Sequence, residues 1–264
     1  MNIFLRELRA NLKSLLIWCG IVVLFNYVGF SKFTAYYDNP EMLAVLDSLP
    51  PAMLAAFSMN AFNLTTLNGF FGIMTTYVGL ILSIAAAMWG SGIISKEERD
   101  KTVEFSLTLP VTRGKLVTGK TAAMVVNCII LLLVLWVSTL VSAQKFQPDS
   151  EFYRFVANGV LTFLIQQMIF LALGIFLACA LKKHKLSGPV AIWILLGSYF
   201  LSVLIGLNKD LDFLKYLTPF KYFDPALLLR ESSLEITFVL LSVAIIIAFM
   251  GGAYATYAKR DLYI

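Results

Sequence analysis

Charge is scarce in this chain. Only 14% of its 264 residues are Asp, Glu, Lys or Arg, whereas a soluble domain carries about 25%. Hydrophobic residues make up 59%, and the mean hydropathy is +0.81. A water-soluble fold cannot bury that much apolar surface, so the sequence reads as an all-α polytopic membrane protein. Histidine is scarcer still, with the single His184 in a short basic loop. A serine nucleophile at Trp89-Gly90-Ser91-Gly92 therefore has no base within the membrane, and no H-E-x-x-H zinc motif exists. Aspartate is absent from the apolar runs, which removes an aspartyl protease. Three cysteines, Cys19, Cys128 and Cys179, each lie in an apolar run and read as packing residues, not a disulfide framework.

Six runs approach the roughly 20 apolar residues that cross a bilayer. They are Leu15–Phe30, Gly69–Ile94, Thr121–Ala143, Phe155–Leu181, Leu186–Leu207 and Ile236–Ala258. None contains Asp, Glu, Lys, Arg or His, which argues against proton relays, ion-coupled carriers and voltage sensors. Their polar residues are mild: Asn26, Asn127, Gln166 and Gln167, read as interhelical hydrogen-bonding groups. The first run is expected to be retained, because a charged stretch precedes it and no small-residue cleavage site follows.

Residues 1–14 suit an interfacial helix, with Arg6, Arg9 and Lys13 on one side and Phe4, Leu5, Leu8 and Leu12 on another; plain flanking charge is the alternative. With the N-terminus inside, fourteen of the 21 lysines and arginines fall on the cytoplasmic side and seven outside. Both termini are thus expected in the cytoplasm. The net charge of +5 belongs to those loops, and no nucleic-acid partner is expected. The outer loops are 31–68 and 208–235. Asn60, Asn63 and Asn68 make the region before the second span a surface segment, and residues 42–49 fit a short surface helix.

The charged stretch 95–120, SKEERDKTVEFSLTLPVTRGKLVTGK, stands between the second and third runs. Ser95 and Glu98 have capping-box spacing, with the plain end of the second span as the alternative; Pro110 stops a helix and Thr112 can cap the next one. Glu97, Glu98, Arg99, Asp100, Lys101, Glu104 and Arg113 would offer the cytoplasm a charged rim around Phe105, which suits a docking interface; an ordinary solvated loop obeying the positive-inside rule is the alternative. Gly114–Thr121, GKLVTGKT, matches the P-loop pattern letter for letter. It lacks the strand, soluble helix and parallel sheet that such a loop needs, so it reads as a basic lead-in to the third span.

The run from Glu98 through Lys101, Thr102, Glu104, Phe105, Leu107, Pro110, Val111 and Thr112 to Arg113, followed by Lys120, resembles the coupling segment of ABC-2 type transporter permeases. In that family the segment commonly reads E-x-x-x-G-T-x-E-x-L-L-x-x-P-[VI]-[ST]-R. The usual glycine is Lys101 here. Thr218–Asp224 and Lys259–Leu262 are similar to the family's last outer segment and C-terminal ending. The resemblance implies a six-helix, type V exporter-like permease of a bacterial cytoplasmic membrane. It also implies coupling through Glu98, Thr102, Glu104, Phe105, Pro110 and Arg113. No cofactor is expected on this chain; ATP and Mg would sit on two copies of a separate ATP-binding subunit. A second permease chain, as homodimer or heterodimer, and membrane lipid complete the implied partners. A membrane scaffold or sensor using the same loop is the alternative.

Overall fold

The computed structural model describes residues 3–39, 48, 50, 62–99, 112–231 and 234–259. Among them are seven α-helices and no strand: α1 (Ile3–Phe33), α2 (Leu67–Arg99), α3 (Arg113–Ala143), α4 (Ser150–Ala180), α5 (His184–Leu207), α6 (Pro225–Glu231) and α7 (Ile236–Lys259). Six of these, all but α6, are long and apolar enough to cross a membrane. Three of the six have 31 residues each. At 1.5 Å per residue such a helix measures about 46 Å, against a hydrocarbon core of about 30 Å. The helices therefore continue past their apolar runs, and their end turns can carry charge.

That extension corrects the reading of the N-terminus. Residues 1–14 and the first span were expected as separate pieces, but Ile3–Phe33 is one helix. No proline or glycine occurs between Ile3 and Cys19 to break it. The side chain of Asn11 also donates to the Glu7 carbonyl one turn back, at 2.9 Å.

The helices α2 and α4 form the centre. In their apolar windows 72% and 67% of residues are buried, against 17% for α7. The two pack along each other, with α7 against α4, α5 against α2, and α1 paired with α3. Glycines set the closest approach. A Cβ added at Gly90 would stand 2.4 Å from the Leu171 carbonyl oxygen, and one at Gly174 would stand 2.6 Å from that of Ala87. Such small residues let backbones touch where lipid gives no hydrophobic drive for association. The α1–α3 pair is tied by Asn26, whose amide donates to Ser138 Oγ at 2.8 Å and Thr139 Oγ1 at 3.0 Å.

At the end of the bundle away from the α1 N-terminus, aromatic rings close the structure. Phe33 stacks on Phe70 at 4.5 Å, and Phe71 meets Phe155 edge-on at 5.5 Å. The α5–α7 connection lies at this end too, as two 3-10 turns (Lys209–Leu217 and Pro219–Lys221) followed by α6. Tyr222 stacks on Phe238 at 5.2 Å and donates its hydroxyl to the Tyr216 carbonyl at 2.6 Å. The segment expected at residues 42–49 lies outside the described residues, apart from Ser48.

Gly90→Ala should lower stability by about 1–3 kcal/mol, because the new methyl meets fixed backbone. Gly92→Ala in the same helix should not, since nothing lies within 4 Å of its Cβ position. Thermal unfolding of the two detergent-purified variants checks this pair.

Candidate functional site

The buried stripes of α1, α2 and α3 each end on a charge. In α1 the stripe Phe30, Asn26, Val22 and Leu15 runs down to Glu7. In α2 it passes through Trp89 and Ile93 to Glu97. In α3 it begins at Leu116 and Val117 and includes Lys120 before Ala123 and Met124. Helical spacing therefore delivers three ionisable groups to one place, at the end of the bundle where α2 stops and α3 starts.

There they pair. Lys120, with no exposed surface, places Nζ 2.9 Å from Glu97 Oε1 and donates to the Ile93 carbonyl at 2.9 Å. Glu7, equally buried, takes Lys96 Nζ on one oxygen at 2.7 Å and Arg6 Nη2 on the other at 3.1 Å. Arg6 Nη2 also reaches Glu97 Oε1 at 3.4 Å, which joins the two halves. Arg6 and Lys96 remain about a third and a quarter exposed, at 32% and 25% of their side chains. The cluster thus has a dry floor at Lys120 and Glu7 and a wet rim at Arg6 and Lys96. Each buried charge has an opposite partner, as burial in a low-dielectric site requires.

Neutral bonds tie the same helices, at the ion-paired layer and up to about two turns from it. Trp89 Nε1 donates to Ser14 Oγ at 2.9 Å, tying α2 to α1. Ser95 Oγ meets Ser187 Oγ at 2.8 Å, tying α2 to α5. Thr112 caps α3 by accepting from Lys115 N at 3.3 Å. Thr118 Oγ1 meets the Tyr254 hydroxyl of α7 at 2.8 Å.

Of the residues expected to couple, Glu98 and Arg113 are described. Glu98 lies half-buried in the last turn of α2. Arg113 opens α3, and its Nη1 donates to the Tyr257 and Ala258 carbonyls of α7 at 3.2 and 3.3 Å. It thereby satisfies carbonyls that a helix end leaves open. Thr102, Glu104, Phe105 and Pro110 lie outside the described residues, as do Arg260, Asp261 and Leu262. Two readings are corrected. Glu97 is no part of a solvated rim: it is 5% exposed and held by Lys120 and Arg6. Ser95 is no N-cap, because α2 continues to Arg99 and its hydroxyl donates to the Ser91 carbonyl at 2.6 Å. Gly114–Thr121 is helical throughout, so its amides are not wrapped into a phosphate cradle. Among the described residues no three His, Cys, Asp or Glu side chains gather to hold a metal.

Residues 1–262 match the family described as ABC-2 family transporter protein. The chain belongs to that family. No curated protein matches it. The family places the chain as the multi-pass membrane subunit of an ABC transporter, and in this ABC-2 permease the ion cluster stands at the root of the 100–111 segment. Sequence reasoning missed the cluster because charge near a span was assigned to loops. The signal was the register: Lys120 is three residues after Val117 and four before Met124, on one apolar face.

Lys120→Ala leaves Glu97 buried with less compensation and should cost about 3–5 kcal/mol. Lys120→Met combined with Glu97→Gln should cost less than the two single changes added together. A double-mutant cycle on thermal unfolding in detergent measures that coupling.

Proposed function

We propose that this permease is the membrane half of an exporter driven by a separate ATPase docked on residues 95–113. The observation that carries the reading is mechanical. The segment is tethered at both ends to the ion-paired layer, by α2 through Lys96 and Glu97 and by α3 through Lys120. Arg113 ties the same layer to α7. A push on the segment would reach α1, α2, α3 and α7 together, with little lost in slack. That is what conversion of ATP binding into a change of helix packing demands.

Two ATPase subunits would bind ATP and Mg and do the hydrolysis, leaving this chain non-catalytic. Glu98, Thr102, Glu104, Phe105, Pro110 and Arg113 would form its side of the contact. The basic-residue bias supports a cytoplasmic location for this end and both termini, and the membrane would be a bacterial cytoplasmic one. A second permease chain, identical or related, would complete the pathway. Wide apolar faces are open to it or to lipid: Trp193 is 74% exposed, Ile247 66% and Leu240 62%. The uncharged runs favour an amphipathic or apolar cargo over a small ion.

Purification from the native membrane in mild detergent tests the reading. A co-purifying ATPase is expected with the wild type. Phe105→Asp should abolish the association. Glu104→Lys should uncouple ATP hydrolysis from transport while the chain still inserts. Normal transport by Glu104→Lys would remove that residue from coupling.

A further inference from the structure

A second polar feature lies in the other half of the bundle. Between α2, α4 and α5 is a partly open cavity of about 190 Å³, lined on one side by residues between Phe220 and Leu228. Gln166 of α4 lines it, is 8% exposed, and its Nε2 has no hydrogen-bond partner among the described residues. Three of the hydroxyls around it donate their protons to their own helices. Thr162 donates to the Gly159 carbonyl at 2.8 Å, Ser202 to that of Tyr199 at 2.6 Å, and Thr75 to that of Gly72. Each keeps a lone pair. This part of the wall therefore presents an unsatisfied amide donor among hydroxyl acceptors.

A buried donor without an acceptor is costly, and within a membrane such groups persist where they line a cavity that something fills. The remaining wall says what kind of molecule fits. Phe163 and Phe220 give it apolar rings, while Lys221 and Asp224 bring one charge of each sign. One Asp224 oxygen accepts from Ala226 N at 2.8 Å, and neither charge has an ion-pair partner among the described residues. Tyrosine, phenylalanine and lysine around this connection are typical of the headgroup level.

We propose that this cavity binds the head and ester region of a zwitterionic amphiphile. The anion would lie at Lys221, the cation at Asp224, and a carbonyl oxygen would accept from Gln166. The volume admits that region and not a whole lipid, so the tails would leave through the open side. The site stands on the cavity alone and does not depend on whether the ligand is carried across.

The test is native mass spectrometry of the full chain in detergent, delipidated and titrated with phosphatidylethanolamine or phosphatidylglycerol. Wild type should retain phosphatidylethanolamine in preference, at one molecule per chain. Gln166→Leu should lower retention about tenfold, or about 1.4 kcal/mol. Gly159→Val should do the same by filling the cavity, since a Cβ there meets nothing within 4 Å. Both variants should keep the wild-type thermal midpoint. Competition by tail-free glycerophosphoethanolamine would assign the site to the zwitterion itself; failure to compete would assign it to the membrane lipid. Equal retention of the two lipids, or equal retention by wild type and both variants, would overturn the proposal and leave a water-filled cavity.

Discussion

The pairing of Lys120 with Glu97 is the contact on which the organisation of the charged end depends. A fully buried ammonium is expensive anywhere, and at the mouth of a membrane bundle it has little water to turn to. Its two partners, a carboxylate and a backbone carbonyl, both belong to α2. The start of α3 is therefore fixed to the end of α2 independently of the twelve residues 100–111 that connect them in sequence. Glu7 adds α1 to the arrangement through Lys96 and Arg6. Three helix ends from distant parts of the chain become one layer.

The rest of the molecule makes that layer consequential. Helices α2 and α4 touch backbone to backbone at Gly90 and Gly174, about one to two turns from the ion pairs in α2. A displacement of α2 at its charged end is thus delivered to the most buried pair in the bundle. The aromatic cluster of Phe30, Phe33, Phe70 and Phe146 closes the opposite end of α1, α2 and α3. The bundle has a polar, electrostatically organised end and an apolar, ring-packed one. These two kinds of contact respond differently to a push. Ion pairs with one wet partner, such as Arg6, can exchange partners; stacked rings move as a block.

Much of this was legible in the residues, and for a physical reason. An apolar run of about 20 residues has few alternatives to a spanning helix, so six spans followed from composition and length. The motif around Thr102 and Pro110 carried the family, which residues 1–262 bear out. The charged layer was not legible by the same route. Positive charge beside a span predicts topology, and that rule treats Lys120 and Glu97 as loop residues. Their burial follows instead from helices that overrun the hydrocarbon, together with a register that turns both side chains inward. The four span amides looked alike in the sequence, yet Asn26 bonds across to α3 while Gln166 faces a cavity. Only the packing of neighbours separates those roles.

Hydrogen–deuterium exchange on the detergent-purified chain, wild type against Lys120→Met, tests the central claim most directly. The account predicts that peptides covering residues 3–12, 94–99 and 113–121 lose protection together, while the Phe33–Phe70 end is unchanged. A loss confined to 113–121, or none at all, would contradict the claim that one buried ion pair holds the three helix ends as a unit.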